Sequence, residues 1–268
     1  MRAALALTVL AACGGAAADI SPQPPEGATA ELDDEILGLV PGEELAFEVR
    51  VAGVLAGEAQ IAVGKPGTLD GHRAVAVSSV MRSAGAFALI KEVKDEATSY
   101  VDLAQLRPIR GTSDVIFGPR KYHAETVFTE HGATIDFTPE GQSTRSLRYD
   151  FGGAIVHDAH SAMAMVRTWK AEPGARMGLW VIGGRRIWRT EVWLAGTENI
   201  GTVLGNQAAI RLDGTSVRSR PDLSPEPGRK VRSFSVWLSD DADRVPLRFS
   251  AHTELGDITI DLVSYQRP

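Results

Sequence analysis

One cysteine, six histidines and five tryptophans carry most of the chemistry open to this 268-residue chain. Cys13 stands alone, so no internal disulfide can form, and its thiol is either free or chemically used. It follows Leu10-Ala11-Ala12. A branched apolar residue, two small residues and a cysteine form a lipobox: the small side chains admit a lipoprotein signal peptidase, and the thiol carries the diacylglycerol. Met1-Arg2 supplies a minimal positive start. Ala3 to Leu10 is an apolar run too short to cross a bilayer core of roughly 30 Å. These features predict a signal peptide over residues 1–12 and lipidation at Cys13.

His157-Asp158-Ala159-His160 is the one tight group of metal-capable side chains in the sequence. Two imidazoles three apart on a helix could face one ion, but zinc wants a third ligand and an outer shell, and no third ligand is identifiable by spacing. Asp158 is better placed to cap a helix, so no metal and no cofactor is expected. Ser239-Asp240-Asp241-Ala242-Asp243 lacks the glycine and distal glutamate of a calcium loop and reads as a turn. No G-x-S-x-G elbow, P-loop or H-E-x-x-H motif occurs, and no catalytic residue is assigned. A carboxylate pair for sugar hydrolysis is set by spatial separation, which a sequence does not display. The net charge of −6 and scattered basic residues argue against a nucleic-acid partner.

The tryptophans, Trp169, Trp180, Trp188, Trp193 and Trp237, all fall in the second half. Trp188 and Trp193 point to opposite faces of one strand. Either a core is completed by a covered outer face, or aromatic side chains line an apolar cavity. On the second reading Trp169, Trp180, Trp188 and Trp193 are the candidate ligand-binding residues.

These side chains need a scaffold, and period-two alternation supplies it. Residues 13–40, rich in Ala, Gly and Pro, read as the lipidated cysteine and a flexible tether reaching on the order of 25–30 Å. From residue 41, Leu45, Phe47, Val49 and Val51 alternate with polar neighbours, as do Ala59, Ile61 and Val63. Further strands are expected over 87–92, 98–103, 122–129, 134–137, 143–149, 207–212, 234–238, 247–252 and 258–265. A hairpin is expected to turn at Gly183-Gly184. Apolar residues at 159, 162, 163, 166 and 169 predict one helix over 158–170, with Asp158 as its N-cap. The expected fold is mainly β: a single domain over 41–268, with a large curved antiparallel sheet (barrel or half-barrel) and one mid-chain helix packed against it.

Several short pieces occur in a telling order: Gly42-Glu43-Glu44-Leu45, the pair Gly53 and Gly57, Asp158-x-x-Ser161 leading to Arg167, and Val236-Trp237-Leu238-Ser239-Asp240-Asp241 before Arg244-Val245-Pro246-Leu247-Arg248. Together they resemble the bacterial envelope family known as domain of unknown function 3108. The resemblance implies a secreted or lipid-anchored β-rich protein with no assigned reaction. Combined with the lipobox, it gives the expectation of a non-enzymatic envelope lipoprotein. Gly14 in place of an aspartate favours the outer membrane, facing the periplasm. Its expected partners are the membrane through the lipid anchor and a lipid-like ligand or envelope protein. A packed assembly module without a ligand, and a hydrolase of envelope polysaccharide, are the alternatives.

Overall fold

The structure is a computed structural model that describes residues 38–253 and 256–268. Cys13 and the tether up to residue 37 lie outside them. The strands are β1 (Glu44–Val51), β2 (Val54–Val63), β3 (Gly67–Leu69), β4 (His72–Ser83), β5 (Val93–Asp102), β6 (Pro108–Phe117), β7 (Arg120–Phe128), β8 (Gly132–Pro139) and β9 (Arg145–Asp150). After them come β10 (Val156–His157), β11 (Arg176–Gly183), β12 (Arg186–Thr202), β13 (Gly205–Ser219), β14 (Arg232–Ser239), β15 (Pro246–Thr253) and β16 (Gly256–Gln266). The helices are α1 (Gly85–Ile90), between β4 and β5, and α2 (Ala159–Thr168), between β10 and β11. All sixteen strands join one sheet, in the order β10-β11-β12-β13-β14-β15-β16-β1-β2-β4-β5-β6-β7-β8-β9, with β3 alongside β4.

Alternation sets the two faces. In β1, Leu45, Phe47 and Val49 are buried while Glu44, Ala46, Glu48 and Arg50 are not. The buried face continues across the ladders from Phe47 to Ala59, Met81 and Asp95, then to Val115 and Tyr122. In the other direction it runs through Phe234, Gly214 and Val192. This is the concave side of a sheet that rolls up. Gly214 is required there, because a Cβ would come within 2.3 Å of the Phe234 ring.

The roll carries past closure. Trp180, Ile182 and Ile187 lie on the convex side of β11 and β12, yet they form one buried cluster with Ala133, Ile135 and Phe137, which face inward from β8. The β11–β12 end of the sheet is tucked inside the β7–β9 end, so both of its faces are dry. Tyr149 adds a hydrogen bond from its hydroxyl to the Arg185 carbonyl at 3.1 Å.

Inside the roll lies α2, the helix expected from the sequence. Asp158 caps it: its carboxylate accepts from the Ser161 amide at 2.8 Å, and the Ser161 hydroxyl oxygen accepts from the Asp158 amide at 3.1 Å. Nearly every residue of α2 is buried, the state of a helix enclosed on all sides rather than laid on a surface. Ala162, Met165 and Val166 pack into the main core, and Ala164 packs with Leu39, Val63, Val75 and Val101. Gly38 and Leu39, expected to lie within the tether of residues 13–40, therefore belong to the folded body; a Cβ on Gly38 would meet the Ala164 carbonyl at 2.5 Å.

Two local expectations change. Residues 87–92 begin in α1 rather than a strand, because the segment bridges β4 and β5 beyond the end of the sheet and buries none of its side chains. Phe87-Ala88-Leu89-Ile90 is a continuous apolar run, which by itself does not tell a strand from a helix. The β11–β12 turn is Gly184-Arg185, one residue later than expected, and Gly184 takes the positive φ of +56°.

Trp180 holds the overlapped layers together. Trp180→Ala is expected to cost about 3–5 kcal/mol, read as a lowered midpoint in equilibrium urea unfolding.

Candidate functional site

Buried polar chemistry gathers at the two ends of α2. At its C-terminal end, Arg167 and Glu43 are 3% and 1% exposed, and they pair through both guanidinium nitrogens: Nη1 to Oε1, and Nη2 to Oε2 at 3.1 Å. Nη2 also donates to the Asp243 carbonyl at 2.9 Å. The clamp thus joins the residue before β1, the last turn of α2 and the β14–β15 turn. A cation in the last helical turn also suits the negative end of the helix dipole.

At the N-terminal end, His160 lies between two serines, with Nδ1 2.7 Å from Ser99 Oγ and Nε2 2.9 Å from Ser79 Oγ. Burial holds its imidazole below the usual histidine range. His157 is pushed down to about 4, chiefly by burial. A serine beside a histidine is the material of nucleophilic catalysis, but Ser79 and Ser99 are each only 5% exposed and no substrate can reach them. The arrangement pins α2 to β4 and β5. Among the described residues, no three His, Cys, Asp or Glu side chains gather to hold a metal.

The acidic segment at 239–243 is a turn. Asp241 Oδ1 accepts from the Ser239 hydroxyl at 2.7 Å and from the amides of Asp243 and Arg244 at 3.0 and 3.1 Å. Asp243 pairs with Arg267 at 3.2 Å.

The four candidate tryptophans are not brought together. Trp169 is buried in the main core at the end of α2, and Trp180 is buried in the overlap. Trp188 faces the interior near the end of the roll formed by the β1–β2, β11–β12 and β15–β16 turns, with Arg232 5.1 Å from its ring. Trp193 faces outward beneath Arg176 at 4.6 Å. Under α2 there is a void of about 10 Å³, lined by Ala162, Met163 and Val166 of the helix and by residues such as Leu179, Val192 and Phe234 of the sheet. That is barely room for one water.

Asp95 is a site that sequence reasoning missed. It sits at a position where alternation calls for an apolar residue, between Met81 and Val115. It is 5% exposed, and its Oδ2 has no hydrogen-bond partner. Burial, with a smaller push from Asp114, raises its carboxyl to about 7. Nearby Tyr122 is raised well above the usual phenol range by burial and the Asp95 charge. Asp114 pairs with Glu96 in register and so lies on the opposite face of the sheet. The two carboxylates therefore cannot flank one sugar bond.

Sequence comparison matches residues 46–263 to a family described as protein of unknown function (DUF3108). The chain belongs to that family. No curated protein matches it. Among solved structures, it is similar to a β-barrel-like DUF1849 protein from Brucella abortus, with a TM-score of 0.54 at 8% identity over 85% of this chain and 98% of that one. Weaker likenesses at 8% identity are to a candidate lipoprotein from Parabacteroides distasonis, with a TM-score of 0.36 over 86% and 99% of the two chains, and to a candidate exported protein with a YmcC-like fold from Bacteroides fragilis, at 0.37 over 86% and 98%. The rolled β fold is thus shared with the DUF1849 protein at a sequence distance where only the fold is comparable.

Within this DUF3108 member, several of the short motifs have structural duties. Glu43 and Arg167 form the clamp, Asp158 and Ser161 form the cap, and Ser239 with Asp241 closes the turn.

Two outcomes follow. Glu43→Gln leaves Arg167 buried and unpaired and is expected to cost about 3–5 kcal/mol in urea unfolding, with Glu43→Leu/Arg167→Met recovering much of the loss. For Asp95, the folded carboxyl keeps its proton up to about pH 7 while the unfolded chain releases it near pH 4, so stability falls across that window. Asp95→Asn is expected to raise the thermal midpoint above about pH 8, by up to the order of 4 kcal/mol in stability, and to change little near pH 4.

Proposed function

We propose that this DUF3108 protein is a non-enzymatic envelope lipoprotein, held by the lipid on Cys13, whose packed barrel-like body acts through its surface on an envelope partner and carries no ligand inside. The observation that supports this is α2, which occupies the interior and leaves about 10 Å³ beneath it. An acyl chain needs a pocket of hundreds of cubic ångströms.

The polarity of the roll fits a body held in water on a tether. Its convex face carries paired charges, including Lys94 with Glu96 at 2.8 Å, Arg211 with Asp213 at 2.9 Å, and Arg248 with Asp261. A membrane-spanning barrel has the opposite arrangement, apolar outside and polar within. The lipid anchor rests on the spacing before Cys13, and outer-membrane placement rests on Gly14.

The test is native mass spectrometry of the chain from Gly14 onward, exported behind a cleavable signal and incubated with envelope lipid extract. A mass equal to the polypeptide alone is the expected result. A reproducible adduct removed by organic extraction, and diminished in Trp188→Ala, would restore the ligand-carrying reading. For the anchor, metabolic labelling with radioactive palmitate should mark the full chain and fail to mark Cys13→Ala.

A further inference from the structure

At the end of the roll formed by the β1–β2 turn, large apolar side chains stand in solvent. Leu89 and Ile90 of α1 are 90% and 84% exposed, and Val54 at the tip of the β1–β2 hairpin is 62% exposed. These tips form one surface: the Ala84 amide donates to the Ala56 carbonyl at 3.0 Å, and a Cβ on Gly85 would lie 3.2 Å from the Leu55 carbonyl. Apolar side chains so exposed on a short helix contribute nothing to the core, and a contiguous patch of this kind marks an interaction site.

The charges behind the patch indicate its partner. Lys91 follows Ile90 directly, and the β6–β7 turn, with Arg120 and Lys121 at the start of β7, lies beside it, the Gly118 amide donating to the Glu92 carbonyl at 2.8 Å. Lys91 Nζ lies 3.4 Å from the centre of the Phe117 ring, and burial together with the Arg120 charge holds its amine below the usual lysine range. Two like charges are thus kept close with apolar side chains projecting beyond them. Lys121 is paired with Glu140, and Arg82 and Lys94 share Glu96, so the cations of this patch are Lys91 and Arg120. Protruding aliphatic side chains backed by cations are the arrangement by which a protein enters the headgroup region of an anionic bilayer.

We propose that the α1 tip, with Leu89, Ile90 and Val54 inserted and Lys91 and Arg120 at the headgroups, is a second membrane contact that docks this end of the barrel on an anionic lipid surface. Leu39 and Glu43 lie at the opposite end, beside Val63, so the body would be held at both ends, by the lipid and by this tip. The inference needs the envelope setting of the reading above but not the lipid anchor, and it is tested without the anchor.

The chain from Gly14 onward is mixed with phosphatidylglycerol or phosphatidylcholine vesicles and sedimented. Binding to phosphatidylglycerol, weakened by salt, is expected. Leu89→Ser/Ile90→Ser should reduce it about tenfold or more, and Lys91→Glu/Arg120→Glu should abolish the preference for the anionic lipid. Leu89 and Ile90 stand in solvent, so thermal unfolding of Leu89→Ser/Ile90→Ser should match the parent, while Lys91→Glu/Arg120→Glu, which also loses the Lys91–Phe117 contact, should remain folded at the temperature of the binding assay. The proposal is overturned by absence of binding, by equal binding to both lipids, or by binding that ignores the Leu89 and Ile90 substitutions. It is also overturned if those substitutions instead dissolve a dimer, since the patch would then belong to a second copy of the chain. None of these results bears on Cys13 or on the packed interior.

Discussion

An arginine buried to 3% exposure needs a carboxylate at hydrogen-bonding distance, and Arg167 has Glu43. Taking both charges out of water is expensive, and their attraction offsets that cost only while the geometry is kept. The pair therefore fixes where α2 ends with a directionality that apolar contacts lack. Once that end is fixed against the start of β1, and His160 is fixed between Ser79 and Ser99, the helix has no freedom to leave the interior. The exclusion of ligand-sized space beneath the helix and the burial of Trp169 at its end both depend on the helix being there.

The rolled sheet solves an edge problem in an unusual way. A closed barrel abolishes its edges by hydrogen bonding the first strand to the last. Here the path ends at β10 and β9, and the end near β10 is covered by overlap, with side chains of β8 and β9 packing on the convex face of β11 and β12. Hydrophobic burial replaces the missing ladder. This also accounts for the near-continuous burial of Leu179-Trp180-Val181-Ile182, four successive residues that a one-sided sheet would have alternated.

Three polar groups in the interior illustrate different solutions to the same cost. Glu43 is paired with a cation, His160 is neutral and bonded at both nitrogens, and Asp95 has an unpartnered oxygen and a raised carboxyl. The first two hold elements together. Asp95 instead makes the body less stable as its proton is lost.

The sequence by itself determined the mainly β character, the family, the Asp158 cap and the helix that follows it. These are local properties: alternation, capping chemistry and the order of short motifs are written within a few residues of one another. It also showed that Trp188 and Trp193 must face opposite ways. It did not show which face was inside, that α2 would be enclosed rather than laid on a surface, or that the candidate tryptophans would be dispersed. Those features depend on how far a sixteen-stranded sheet twists before its ends meet, a quantity summed over every strand pair. The pairing of Glu43 with Arg167 spans 124 residues, and the apolar run Phe87-Ala88-Leu89-Ile90, expected in a strand, lies in a helix. Only the tertiary structure decided such matters, because burial is a property of what surrounds a residue and not of the residue.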